Sequence, residues 1–117
     1  MFFSGLIPKI QSVATQNSEI SAINEETVTI PMGGKAVVTT KASVVLQCFA
    51  HGIPMPHVKW YKDGYLVDSS TRYRSLINGL LDIRSVSAVD DGDFMCVAKN
   101  KFGVKKASMR LIVVGTI

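Results

Sequence analysis

The sequence predicts an all-β domain of two sheets packed face to face, and three short runs carry the expectation. Ser43-Val44-Val45-Leu46-Gln47-Cys48 alternates, so Val44, Leu46 and Cys48 share one side of an extended strand. Val58 and Trp60 alternate in the same way, and Phe94 and Cys96 share a side at the end of Asp90-Asp91-Gly92-Asp93-Phe94-Met95-Cys96. Three strands thus offer a sulfur, an indole and a sulfur inward, the pattern expected when two sheets are pinned across a buried tryptophan.

The chain of 117 residues has room for one domain with one modest core, and its 47% hydrophobic content means that most of it should fold. No apolar run approaches the roughly 20 residues needed to cross a bilayer. Met1-Phe2-Phe3-Ser4-Gly5-Leu6-Ile7 is apolar but interrupted, with no basic region before it and no small-residue cleavage site after it, so it does not read as a signal peptide. Two cysteines in a small β-rich chain point to one disulfide, Cys48 with Cys96, and hence to an oxidising compartment. Closing a loop of that length would stabilise the fold by about 4 kcal/mol on the chain-entropy model.

In chain order, residues 1–25 hold no period of 2 or 3.6 for long and read as a linker or leader, within which Ser18 to Ile23 is an alternative first strand. Thr27-Val28-Thr29-Ile30 is a strand stopped by Pro31 and the Gly33-Gly34 pair, after which Lys35 to Thr39 resumes extended structure. Gly34-Lys35 is not a phosphate loop, because Thr29 stands where its first glycine should be and Ala36 where its hydroxyl should be. Trp60-Tyr61-Lys62 ends at Asp63-Gly64, a tight-turn signal, and Tyr65-Leu66-Val67 follows as a short strand. Arg72 to Ile77 and Leu80 to Arg84 flank the turn Asn78-Gly79, with Leu81, Ile83 and then Val86 inward. Finally Ala107, Met109, Leu111 and Val113 alternate with Lys106, Ser108, Arg110 and Ile112, the period of a strand with one buried face.

Gly52-Ile53-Pro54-Met55-Pro56, Asp90-x-Gly92-x-Phe94-x-Cys96 and Cys96-x-Ala98-x-Asn100-x-x-Gly103, in register with Cys48, Trp60 and Leu81, carry a family resemblance. The chain resembles an immunoglobulin domain of the intermediate set, the I-set. The resemblance implies an immunoglobulin-like two-sheet antiparallel Greek-key sandwich with one inter-sheet disulfide over residues 26–114. A linker or loosely ordered leader at 1–25 would precede it, and 115–117 would start a linker to a following segment. It also implies that the first strand changes sheets near Pro31-Met32-Gly33-Gly34, and that Asn100 and Gly103 supply the positive φ of the last hairpin. A structural core of Trp60, Leu81, Asp90, Gly92 and Phe94 is expected, with Asp90 paired to Arg72 in preference to Arg74. Phe94 departs from the family's tyrosine, which gives its hydroxyl to a backbone carbonyl at this corner. The loss of that bond has a net cost of about 1 kcal/mol.

Family members are mostly binding modules or spacers, so the resemblance implies no catalysis and no cofactor. The residues agree. His51 and His57 stand apart from any ligand set for a metal, and Asp90, Asp91 and Asp93 lack the loop and terminal glutamate of a calcium site. No Gly-x-Ser-x-Gly elbow occurs.

Parity places Tyr61, Met95, Val97 and Ile112 on the outer side of three strands that adjoin in the family, a candidate protein interface with an apolar centre and a basic rim. The partner would be another protein, a second copy of the chain included. Lys99, Lys101, Lys105 and Lys106 crowd the last hairpin of a chain of net charge +4 and form a candidate patch for sulfated glycosaminoglycan. Nucleic acid is not expected, for want of a reading helix or a stacking platform. The competing reading is a passive spacer in a string of similar domains.

The cysteines favour an extracellular, secreted or cell-surface ectodomain. A cytoplasmic muscle-type domain with reduced cysteines is the alternative, which the lack of an Asn-x-Ser/Thr sequon slightly favours. Counting free thiols in denatured, unreduced protein made under oxidising conditions checks the bridge: none is expected, and two would mean that the pair stays reduced.

Overall fold

The computed structural model describes residues 6–11, 19–22, 27–67, 72–77 and 79–115. In chain order the strands are β1 (Leu6–Gln11), β2 (Glu19–Ala22), β3 (Thr27–Pro31), β4 (Lys35–Thr39), β5 (Ser43–Gln47), β6 (Phe49–Ile53), β7 (His57–Lys62), β8 (Tyr65–Leu66), β9 (Tyr73–Leu76) and β10 (Leu80–Ile83). A single 3-10 turn at Ala88–Asp90 leads into β11 (Gly92–Asn100) and β12 (Gly103–Val114). Asn78 of the expected turn, and Thr116 and Ile117, lie outside the described residues.

Alternation builds the strands as the sequence leads one to expect. In β5 the buried Val44 and Leu46 alternate with half-buried Ser43, Val45 and Gln47, and in β11 Phe94, Cys96 and Ala98 are buried while Asp93, Met95, Val97 and Lys99 face outward. Two sheets face each other, one in the order β3-β5-β10-β9 and one in the order β2-β4-β12-β11-β7-β8. The ladders are antiparallel except for β2–β4, β3–β5 and β4–β12, which are parallel. The chain changes sheets between β3 and β4 across Gly33 and Gly34, both at positive φ. Asp63 (φ 49°) and Gly64 (φ 86°) form the expected tight turn between β7 and β8.

Where the sequence reads as a leader, the structure has two strands. β1 pairs antiparallel with β6, and β2 pairs in parallel with β4; Ser18 and Ile23 of the alternative first strand lie outside the described residues. Pro8 within β1 argues against a strand in a sequence reading, but it falls where the register shifts between Leu6 and Lys9, so no ladder bond is demanded of it in the regular pattern. Pro8 is buried and Ile10 packs against the core. Ile7 rests on Gly103, where an added Cβ would come within 3.2 Å of Ile7 Cγ2. β5 and β6 are separated only by Cys48, whose N–H donates to the Gly79 carbonyl at 2.8 Å. Gly79 approaches so closely that a Cβ there would stand 2.3 Å from the Cys48 oxygen, and its φ of 74° excludes a side chain independently.

Cys48 and Cys96 are at bonding distance across the two sheets, with their Cα atoms 6.3 Å apart. Trp60, opposite Cys96 in the β7–β11 ladder, is 1% exposed, and Val44, Leu46, Leu81, Ile83, Phe94 and Leu111 complete the core around it. Trp60 Nε1–H has no acceptor among the described residues, and the indole is packed on all sides by apolar groups of the core. Trp60→Ala should therefore destabilise by about 3–5 kcal/mol in denaturant unfolding. Trp60→Phe, which keeps an aromatic ring in the core, should cost less than about 2 kcal/mol. Equal losses for the two variants would contradict the packing described.

Candidate functional site

The corner before β11 is built on one buried carboxylate. Asp90 is 0% exposed and accepts from Arg72 Nε at 2.8 Å, Tyr73 OH at 2.7 Å and the Ser87 N–H at 2.8 Å. A second Arg72 nitrogen, Nη2, closes a two-pronged bridge on Asp90 Oδ2 and also donates to Ser87 Oγ at 2.9 Å. Arg72, which stands just ahead of β9, is the partner, while Arg74 two residues on is exposed. Burial pushes the Asp90 carboxyl up, but the bonds from Arg72, Tyr73 and Ser87 outweigh it and hold the group below the ordinary carboxylate value. The same bonding raises Arg72, and burial followed by the bond to Asp90 pushes the Tyr73 phenol up.

Phe94 keeps its place in the core, edge-on to Tyr73 with ring centres 6.1 Å apart. A tyrosine hydroxyl does reach this corner, but it comes from Tyr73 and goes to a carboxylate. Gly92 is tightly held: a Cβ there would meet the Asp63 carboxylate at 2.7 Å. The neighbouring described acids are occupied. Asp91 accepts from the Val113 N–H at 2.8 Å and pairs with Arg110 at 3.0 Å, Asp93 pairs with Arg110 at 3.4 Å, and Asp63 binds the Asp93 N–H at 2.9 Å. Among the described residues no group of three His, Cys, Asp or Glu could hold a metal ion.

The outer face of the six-stranded sheet is set by strand register. Met95 lies between Tyr61 and Ser108, Val97 between Lys59 and Lys106, and Lys99 between His57 and Val104. Tyr61, Met95 and Val97 come together as half-buried neighbours. Ile112 does not join them. It pairs with Val37 of β4 beyond the start of β11, and Arg110 with Asp91 and Asp93 stands between.

The four hairpin lysines are likewise divided. Lys99 and Lys106 face outward with Lys59, and Lys101 lies in the turn with Nζ 5.3 Å from the Phe102 ring centre. Lys105 is opposite Ala98, a residue of the core side, and so belongs to the other face. Asn100 and Gly103 do not have positive φ. Asn100 shapes the hairpin with its side chain instead, accepting from the Phe102 N–H at 2.8 Å and donating to the Pro54 carbonyl at 3.0 Å. The turn is thereby tied to the proline loop, where the Ile53–Pro54 bond is cis.

Two hollows open on this part of the molecule. One, of about 520 Å³, lies on the outer face between His57, Lys59, Tyr61, Val97, Lys99 and Lys101. The other, of about 590 Å³, runs beside β6 between Phe49, His51, Met55, Leu76 and Ile77, of which Met55 and Ile77 are 70% and 84% exposed. Sequence reading missed this groove, since its apolar residues come from three separate segments and each alone is an ordinary exposed side chain.

A sandwich pinned by Cys48 and Cys96 over Trp60, with an aspartate clasp at the last corner, defines an immunoglobulin-like domain. The chain belongs to the immunoglobulin I-set family, whose domain model matches residues 26–113. It is 38% identical over 88 residues to the tyrosine-protein kinase-like otk of Drosophila ananassae, covering 72% of this chain and 8% of that protein. It is 38% identical over 78 residues to human hemicentin-1, covering 66% and 1%. The chain thus spans less than a tenth of the length of these relatives.

Among solved structures it is similar to Drosophila OTK extracellular domains 3–5, with a TM-score of 0.68 and 28% identity, over 94% of this chain and 32% of that one. The tandem Ig repeats of Dlar give 0.72 and 27%, over 95% and 48%. Titin domain M7, at 21% identity and a TM-score of 0.70 over 94% and 96%, shares the fold.

Arg72→Ala should cost about 3 kcal/mol at neutral pH, the low end for stranding a buried charge because the Arg72 side chain is itself 35% exposed. Tyr73→Phe should cost about 1.5 kcal/mol. The folded Asp90 pKa lies below the unfolded one, so its contribution is complete above the ordinary carboxylate range and is lost as pH falls through the lowered folded value. Unfolding curves taken from neutral pH downward should show the Arg72→Ala deficit narrowing with acidity; a deficit independent of pH would separate the arginine from the carboxylate.

Proposed function

We propose that this domain is a non-catalytic recognition module of a larger extracellular or cell-surface protein, and that it binds another protein through the outer face of the six-stranded sheet. The observation that carries the reading is the cluster of Tyr61, Met95 and Val97, half-buried side chains on the outward side of β7 and β11, ringed by Lys59, Lys99 and Lys106. A small apolar centre within a charged rim is the composition of a modest interface. The otk and Dlar likenesses support an adhesion or recognition role, and the Cys48–Cys96 bridge supports an oxidising compartment. Ile112, cut off by the Arg110 pairs, is left outside the interface, which shrinks to the β7–β11 half of the face.

A spacer role is the rival, and one substitution separates the two. Val97→Glu places a carboxylate at the centre of the cluster on a side chain that points away from the core, so the unfolding free energy should stay within about 0.5 kcal/mol of the wild type. Sedimentation across concentration, together with capture of the parent protein's partners, should show loss of association in the variant through a desolvated charge. A wild-type domain that stays monomeric and captures the same proteins with and without Val97→Glu is a spacer.

A further inference from the structure

The charges among the described residues are sorted along β11. All five aspartates with described side chains are engaged by cations: Asp63 by Lys62, Asp82 by Arg84, Asp90 by Arg72, and Asp91 and Asp93 by Arg110. Most of these pairs gather near the start of β11. At its other end Lys59, Lys99, Lys101 and Lys106 have no carboxylate partner among the described residues. Lys59 and Lys106 flank Val97 on the two neighbouring strands, and His57 flanks Lys99 one row on. Strands about 4.8 Å apart put these ammonium groups within roughly one Debye length of one another. Such a cluster repels itself until an anion enters it.

The hollow between them is not merely basic. Its floor is the Tyr61 ring and the Val97 side chain, and its volume of about 520 Å³ holds several side chains. A purely anionic ligand would satisfy the rim and leave the floor wet, whereas a carboxylate-rich segment with an apolar side chain in its middle would satisfy both.

We infer that the hollow bounded by Lys59, Lys99 and Lys101 over Tyr61 and Val97 receives an acidic segment of a partner protein, its carboxylates on the lysines and an apolar side chain on the floor. The inference rests on the recognition role proposed above and specifies the partner's chemistry.

The test is fluorescence anisotropy with a labelled synthetic peptide of glutamates and glycines around one phenylalanine, a second peptide with serine in place of the phenylalanine, and a heparin-derived oligosaccharide as the sulfated competitor. Saturable binding of the first peptide is expected, with roughly tenfold loss in the Lys59→Glu/Lys99→Glu variant and clear weakening as salt rises. The serine peptide should bind several-fold more weakly. Both lysines are exposed, so the double variant should fold, and its circular dichroism and unfolding midpoint verify that it does.

Equal affinity for wild type and double variant, no binding of either peptide, or binding of the oligosaccharide alone would each overturn the inference. So would equal binding of the two peptides, since the floor would then contribute nothing. None of these results bears on Val97→Glu in protein capture, so the recognition face can stand when the acidic partner falls.

Discussion

The Cys48–Cys96 bridge joins the strand run β5–β6 to the middle of β11, and the side of each strand that it buries decides the side that faces out. With Cys96 inward, Met95 and Val97 have no alternative to solvent, because successive side chains of a strand lie on opposite faces. Trp60 stands opposite Cys96 in the next strand, so Lys59 and Tyr61 emerge beside Val97 and Met95. A slip of one residue in β7 would empty the core and scatter the outer cluster together. Core and candidate interface are two faces of one register.

Asp90 plays the matching part at the corner. A buried carboxylate is tolerated only when its oxygens are met, and here two stretches of chain meet them: Arg72 and Tyr73, ahead of and within β9, and Ser87, whose backbone N–H closes the turn that carries Asp90. The phenylalanine at position 94 is understandable in that setting. Its ring fills the core and supports Tyr73 edge-on, while Tyr73 brings the hydroxyl that position 94 lacks.

Much of the sandwich was legible because it depends on parity and on turn chemistry. Cys48, Trp60, Leu81, Phe94 and Cys96 are inward as alternation requires, Asp63-Gly64 turns as its residues demand, and Arg72 is the partner of Asp90. What was not legible depends on neighbours. β1 and β2 are short and lack strong periods, and they are strands because β6 and β4 offer them edges. Asn100 and Gly103 occupy the expected hairpin for different reasons, a side-chain amide bridging to Pro54 and a missing Cβ that admits Ile7. Parity put Ile112 and Met95 on one face correctly, but parity is silent about position along the strand, and the Arg110 pairs that separate them are visible only in the ladder.

The sorting of charge along β11 also gives the domain an electrical direction. Near Gly92 three cations, Lys62, Arg72 and Arg110, stand against four carboxylates, while the hairpin end carries lysines with no acid beside them among the described residues. Such an asymmetry exerts a torque on any charged body that drifts within range, before a single atom touches. A negatively charged visitor would be turned toward the hairpin during its approach, so the speed of encounter would be governed by ionic strength, while the duration of the contact would be left to the tyrosine and valine beneath.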